Sequence, residues 1–81
     1  MKARVFVSPK STVLDPQGQT ICAALRGHGY SAIADVRQGK YFDITIAEGT
    51  DRGQVAKEIE DIARDVLANP VIEEFRFEIL E

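Results

Sequence analysis

The spacing of apolar residues changes four times along this chain, and these changes restrict the folds it can adopt. Apolar and polar residues alternate over residues 2–8, 34–46 and 74–79, as is typical of strands. Between these segments apolar residues recur every three or four positions, as on one face of a helix. The order strand, helix, extended segment, helix, strand predicts an α+β two-layer sandwich. Two helices would cover one side of a mostly antiparallel sheet of three or four strands.

Both helices have recognisable starts and ends. In the first, Asp15 and Pro16 are typical of a helix start, and glycines at positions 27 and 29 are typical of its end. Its apolar face is formed by Ile21, Ala24, Leu25 and His28. The second helix is predicted to begin at an N-cap formed by Thr50 and to stop before Pro70. Its stripe consists of Val55, Ile59, Ile62, Ala63, Val66 and Leu67.

The glycine at position 39 leaves two topologies open. It could form a hairpin turn with Gln38, which would give the four-stranded βαββαβ order of ferredoxin-like domains. It could instead bend a single long strand. The hairpin is the preferred alternative, because a glycine inside a strand is costly unless it bends the chain.

Length and charge limit the classes of function. With 81 residues the chain forms one predicted domain, residues 1–81. Its net charge of −3 argues against binding to nucleic acid or to an anionic membrane, since both favour a basic surface. The first apolar run is too short and too charged for a signal peptide or a membrane span, which predicts a cytoplasmic protein. The single cysteine excludes an internal disulfide, so oligomerisation is the expected support for so small a core.

One face of the predicted sheet is expected to be an oligomer interface. Val5 and Val7 would point towards the helices, and Phe6, Tyr41 and Leu80 would point away from them. Contiguous apolar side chains are rarely left in water, so these three are predicted to contact a second copy in a homodimer or larger homo-oligomer.

No catalytic or metal-binding group is predicted. Cys22 and His28 lie six residues apart on one helix and therefore point in different directions, so the thiol is expected to be buried or half-buried and the histidine to cap the helix. A structural zinc site would need more His and Cys residues than the chain has. The carboxylates near the end are expected to form a solvated face: Glu73, Glu74, Glu78 and Glu81.

The stretch "VLDPQG" at residues 13–18 contains one residue that helix capping does not explain. Asp15 and Pro16 are ordinary helix-start residues. Gly18 is not, because glycine in the first turn weakens a helix. It indicates either the close approach of another chain or a backbone position without room for a Cβ.

Three motifs together resemble one protein family. They are "VLDPQG" at residues 13–18, "DVRQGKY" at 35–41 and "LANPVIEE" at 67–74, and they occur in the family's order within a chain of the family's length. On these motifs the chain resembles PurS, the small subunit of phosphoribosylformylglycinamidine (FGAM) synthase.

The resemblance implies a non-catalytic bridging subunit in purine biosynthesis. The enzyme of this family converts formylglycinamide ribonucleotide, glutamine and ATP to formylglycinamidine ribonucleotide, glutamate, ADP and phosphate. A glutaminase subunit (PurQ) releases ammonia, and a synthetase subunit (PurL) uses it with ATP and Mg²⁺; the small subunit itself is expected to bind no cofactor. The motif residues are then the predicted partner contacts: Lys10, Asp15, Gln17, Gly18, Arg37, Gly39, Lys40 and Tyr41.

Two other functions remain as alternatives. Ferredoxin-like domains often bind amino acids between protomers, so the chain could be a small-molecule-binding regulatory module. An enzyme of the acylphosphatase type is disfavoured, because residues 9–12 lack the arginine that such an anion-binding loop requires.

Overall fold

A computed structural model describes residues 1–80, and the last residue, Glu81, lies outside the described part of the chain. The predicted domain of residues 1–81 and the predicted solvated carboxylate at Glu81 can therefore be followed only as far as Leu80. The elements in chain order are β1 (Lys2–Pro9), α1 (Pro16–Gly27), β2 (Lys40–Thr45), α2 (Arg52–Ile62) and β3 (Glu73–Leu80). A π-helical turn, Ala63–Leu67, continues α2.

The three strands form one antiparallel sheet with β1 at its centre, in the order β2-β1-β3. In this register Val5 lies opposite Phe42 on one side and Phe77 on the other. Because side chains alternate between the faces of a sheet, these three residues share one face, as the alternation predicted.

The core lies between this face and α2. Ala3, Val5 and Val7 of β1 are at most 1% exposed, and α2 places Val55 and Ile59 against them. The flanking strands contribute half-buried side chains to the same layer: Phe42, Ile44, Phe75, Phe77 and Ile79. The α+β fold with a mostly antiparallel sheet is therefore confirmed.

The start of α2 differs by one residue from the prediction. Asp51, and not Thr50, is the N-cap, because its carboxylate accepts a hydrogen bond from the Gln54 N–H at 3.2 Å. The Thr50 hydroxyl instead donates to the carbonyl of Ala47 at 2.8 Å within the preceding turn. The ends of α1 are as predicted, with Asp15 as N-cap and a positive φ at Gly29.

The segment before β2 forms neither of the two predicted arrangements. Residues 31–39 adopt no strand, β2 begins only at Lys40, and the four-stranded ferredoxin-like order is not formed. The backbone N–H of Gln38 donates to the Asp15 carboxylate at 2.7 Å, so it is not available for a hairpin turn. Contacts with the start of α1 therefore determine the path of this segment.

The position of α1 also differs from the expectation that both helices cover the sheet. Only Gly18 of α1 is buried, and α1 takes part in none of the extensive contacts between elements. The return segment contacts α1 instead, through a hydrogen bond from Arg26 Nε to the Ile33 carbonyl at 2.8 Å. We refer to α1 and its return segment, residues 16–36, as the α1 arm.

The α1 arm makes the molecule elongated. The radius of gyration is 16.2 Å and the principal extents are 51 × 27 × 14 Å. A compact chain of this length would have a radius of gyration of about 12 Å. The 12 residues of α1 span about 18 Å, roughly a third of the longest extent.

The core assignment predicts different effects for two isoleucines of α2. Ile59 is 2% exposed and Ile62 is 36% exposed. Replacing Ile59 by alanine leaves a cavity and is expected to lower the free energy of unfolding by about 2–5 kcal/mol. The matched variant Ile62→Ala should cost less than half of that amount. Urea unfolding of both variants measures the difference, and equal losses would contradict the position of the core.

Candidate interaction site

The carboxylate of Asp15 joins two distant parts of the chain. One of its oxygens accepts the N–H of Gly18 at 3.1 Å, which caps α1. The other accepts the N–H of Gln38 at 2.7 Å, which holds the end of the return segment. These hydrogen bonds, that to Gln38 first, lower the pKa of Asp15 below its ordinary value because they stabilise the ionised form. Asp15 is therefore both a helix cap and a cross-link.

Arg37 also links the end of the return segment to the residues that precede α1. Its guanidinium donates to the backbone carbonyl of Val13, and to that of Ser11 at 2.8 Å. A longer ion pair, 3.7 Å, joins it to the carboxylate of Asp35. We refer to the residues linked by Asp15 and Arg37 as the joint: Ser11, Val13, Asp15, Gly18, Arg37 and Gln38.

Two glycines lie where another part of the backbone comes so close that a side chain would not fit. A Cβ at Gly18 would lie 2.3 Å from the carbonyl oxygen of Val36, and one at Gly39 would lie 2.7 Å from that of Val7. Both distances are below van der Waals contact. Of the two explanations for Gly18, the structure supports a backbone position without room for a side chain, and the approaching backbone belongs to the same chain.

The predicted contact residues divide into two groups. Asp15, Gly18 and Arg37 make the internal contacts of the joint, and Gly39 abuts β1 beside it. The other group lies around the base of the arm: Lys10, Gln17, Lys40 and Tyr41. Gln17 and Lys40, together with Gly39, line a cleft of about 160 Å³. The side chains of Gln17, Lys40 and Tyr41 are exposed, and that of Lys10 is half-buried.

Sequence reasoning did not identify the partners of the joint. The acceptors of Arg37 and the oxygen facing Gly18 are backbone carbonyls, which carry no sequence signal. Gln38 takes part through its N–H, which every residue except proline has. Only the unexplained glycine at position 18 pointed to a close contact.

The α1 arm exposes several large apolar side chains. Leu14, just before α1, is 68% exposed, Ile21 is 39% exposed and Tyr30 is 60% exposed. Cys22 is half-buried, as predicted, with its thiol 3.9 Å from the carbonyl of Ala34. The unpartnered apolar residues indicate that the arm is suited to contact another protein.

The outer face of the sheet carries aromatic rings among ion pairs. The register places Phe6, Tyr41 and Leu80 on this face, opposite the core. The guanidinium of Arg76 lies 3.9 Å from the ring centre of Phe6, and that of Arg4 lies 5.1 Å from the ring centre of Tyr41. Mixed aromatic and arginine surfaces of this kind are typical of protein interfaces.

Arg4 also forms an ion pair on this outer face. Its guanidinium donates to the carboxylate of Asp43 at 2.7 Å across the neighbouring strands. The hydrogen bond lowers the pKa of Asp43 and raises that of Arg4. The pair holds the guanidinium beside the Tyr41 ring.

In the described part of the chain, the catalytic candidates Cys22 and His28 make separate contacts with backbone groups. His28 caps α1 through its backbone N–H, and within residues 1–80 no cluster of three or more His, Cys, Asp or Glu side chains is placed to hold a metal ion. The carboxylate of Glu73 accepts the N–H of Asn69, and that of Glu78 pairs with Arg76. No helix in the described part of the chain has the length and hydropathy needed to cross a membrane. The fold and the exposed apolar and aromatic residues define a small α+β protein with two candidate interaction surfaces, the α1 arm and the outer sheet face.

Comparison with known proteins identifies the family. Residues 2–81 match the family model of PurS, described as phosphoribosylformylglycinamidine (FGAM) synthase. The PurS subunit of Bacillus subtilis is 42% identical over 80 residues, which are 99% of this chain and 93% of the relative. The PurS subunit of Methanocaldococcus jannaschii is 37% identical over 96% of this chain and 93% of the relative. The chain belongs to the PurS family of FGAM synthase subunits.

Solved structures agree with this assignment. The B. subtilis PurS crystal structure has a TM-score of 0.79 at 40% identity and covers 99% of this chain and 98% of its own. A chain of the Thermotoga maritima PurLQS structure has a TM-score of 0.85 at 28% identity, covering 98% and 95%. The three-stranded fold with two helices is therefore that of the family.

The close approach at Gly18 predicts a specific sensitivity to substitution. Gly18→Ala would force a Cβ against the Val36 carbonyl and is expected to lower the free energy of unfolding by about 1–3 kcal/mol. Gly27→Ala is the matched control, because nothing lies within 4 Å of its Cβ position. Urea unfolding followed by circular dichroism measures both variants. If they are equally stable, the contact at Gly18 is wrong.

The lowered pKa of Asp15 predicts how its contribution depends on pH. A carboxyl whose pKa falls on folding stabilises the folded state above its ordinary pKa, and this stabilisation is lost as the pH falls through the lowered value. Asp15→Asn should therefore be less stable than the unmodified chain at pH 7, and the difference should shrink below about pH 4. Urea midpoints between pH 7 and pH 3 at constant ionic strength test this. A difference independent of pH would contradict it.

Proposed function

We propose that this chain is the non-catalytic bridging subunit of FGAM synthase, which couples the glutaminase to the synthetase for ammonia transfer. Membership of the PurS family makes it a subunit of this enzyme of purine biosynthesis. The bridging role is supported by the large apolar side chains exposed on the α1 arm and on the outer sheet face.

The observation that carries the proposal is the elongated shape. The radius of gyration exceeds that of a compact chain by about a third. The α1 arm leaves Ile21 and Tyr30 exposed, and the outer sheet face presents Tyr41 at 59% exposure. A chain with two such surfaces and a small core is suited to contact more than one neighbour.

The proposed partners follow from the relatives. The T. maritima neighbour belongs to a structure of PurLQS, and we extend that assembly to this chain, with PurQ as glutaminase and PurL as synthetase. Holding the two sites together would keep ammonia from being protonated in water between release and use. A bridge raises the effective concentration of one site near the other without new catalytic groups.

The exposed motif residues are the proposed partner contacts. Lys10, Gln17, Lys40 and Tyr41 surround the base of the α1 arm. Lys40 is exposed, and its amine lies 5.7 Å from the ring centre of Phe42. The position of Gln17 and Lys40 in the lining of the cleft supports a role in docking.

The outer sheet face is the proposed contact between copies of the chain. Phe6, Tyr41 and Leu80 lie on it together, and Arg4 and Asp43 provide charges of both signs. Such a mixed surface can pair with itself in a two-fold homodimer, and larger homo-oligomers can build on that dimer.

The proposal also covers the cofactors, the location and the excluded partners of the complex. ATP and Mg²⁺ are used by the synthetase subunit, and this chain binds no cofactor of its own. The enzyme acts in the cytoplasm, because its substrates are nucleotides and glutamine. Neither nucleic acid nor a membrane is a partner, in keeping with the net charge of −3.

Reconstitution tests the proposed function. The purified chain is mixed with the PurQ and PurL proteins of the same organism, formylglycinamide ribonucleotide, ATP and Mg²⁺. Because a bridge raises effective concentration, adding the chain should increase glutamine-dependent turnover by about 100-fold. Turnover driven by added ammonia, which needs only the synthetase, is the control. Equal glutamine-dependent turnover with and without the chain would refute the proposal.

A further inference from the structure

The direction of the α1 arm depends on a small number of contacts at its base. Two passages of chain connect the arm to the sheet: residues 10–15, which lead into α1, and residues 37–39, which lead out to β2. Neither passage is helix or strand. Helix α1 itself takes part in none of the extensive contacts between elements. Without cross-links the two passages would leave the arm free to rotate.

The joint supplies these cross-links. Asp15 in the first passage accepts the N–H of Gln38 in the second, and Arg37 in the second donates to the carbonyls of Ser11 and Val13 in the first. The first passage is also tied to the sheet side of the molecule, because the N–H of Lys10 donates to the Ile72 carbonyl at 2.9 Å. The arm is thus held at one angle.

We propose that Asp15 and Arg37 are positioning residues of the enzyme complex, which fix the direction of the α1 arm and thereby set how well this chain couples the glutaminase to the synthetase. The inference rests on the proposed function. It differs from direct docking, because both carboxylate oxygens of Asp15 and the guanidinium of Arg37 are engaged with the chain's own backbone. Asp15 and Arg37 therefore affect the coupling of the two enzymes through the direction of the α1 arm.

A fixed arm improves assembly for an entropic reason. A flexible element loses conformational entropy when it binds, and this loss lowers its affinity. A pre-organised element has already lost that entropy during folding. Loss of the joint should therefore weaken assembly while leaving the surfaces that touch the partners chemically unchanged.

Two matched pairs of variants separate this role from general stability. In Asp15→Asn the amide oxygen can still cap α1, but its NH₂ group cannot accept the Gln38 N–H. Asp51→Asn is its control, since Asp51 caps α2 by accepting the Gln54 N–H. Arg37→Met removes the other half of the joint. Its control is Arg64→Met, because Arg64 bonds to Asp61 and Asp65 within one helical segment.

The direction of the arm is measured with spin labels on the full-length chain. Cysteines replace the exposed Ala23 of α1 and Glu60 of α2 in a Cys22→Ser background, and excess unlabelled chain suppresses distances between copies. Pulsed electron resonance should give one narrow distance for the unmodified joint and for both controls. Asp15→Asn and Arg37→Met should each give a shifted or broadened distribution.

The same variants are then titrated into the reconstituted enzyme. For Asp15→Asn and Arg37→Met, the concentration giving half-maximal glutamine-dependent turnover should rise about tenfold, because the arm must then be ordered when it binds. The controls should match the unmodified chain, and ammonia-driven turnover should not change. Circular dichroism confirms folding. If Asp15→Asn does not fold, Arg37→Met, which keeps the cap of α1, decides the question.

Each result has a separate meaning. If the unmodified chain does not stimulate turnover, the proposed function fails, and the spin-label distances still decide whether the joint fixes the arm. If the chain stimulates turnover but both joint variants match it, the positioning role is wrong. It is also wrong if the distances change while the half-maximal concentration does not.

Discussion

The double hydrogen bond to Asp15 is the interaction on which the arrangement of this molecule depends. The carboxylate of Asp15 caps the N-terminus of α1 and also accepts a hydrogen bond from the backbone that returns from α1 to the sheet. Arg37, in the segment that returns from α1, donates to the backbone of the segment that leads into α1. Gly18 lets the backbone of α1 and that of the return segment approach each other. These contacts link the two ends of the arm, so that its direction follows from a few polar groups and not from a packed apolar interface.

The small core explains why such a joint is needed. Only α2 packs on the sheet, where Val55 and Ile59 meet Val5 and Val7. A core of this size stabilises one compact layer and leaves the other helix, α1, outside the extensive contacts between elements. The exposed apolar residues of the arm and the aromatic outer face then remain for other proteins, which suits a subunit whose family works in assemblies.

Much of the fold could be predicted because buried residues recur at a regular spacing in strands and helices. Val5 and Val7 recur at every second position of β1, as do Phe75 and Phe77 in β3, so both strands and their inward faces were predicted correctly. The ends of α1 were predicted from capping residues. The segment around Gly39 was not, because its path follows from a hydrogen bond to Asp15, a residue 23 positions earlier in the chain. Local patterns contain no information about such a contact.

The sequence by itself determined the order of elements, the inward face of the sheet, the cap of α1 and, through three motifs, the family. Each of these depends on residue type and spacing within a short window. Tertiary structure alone decided that α1 leaves the sheet, that residues 31–39 form no strand, and that Asp15, Gly18 and Arg37 form one joint. The reason is that the groups opposite these residues are backbone N–H and carbonyl groups, which are the same in nearly every residue and become specific only when folding brings them together.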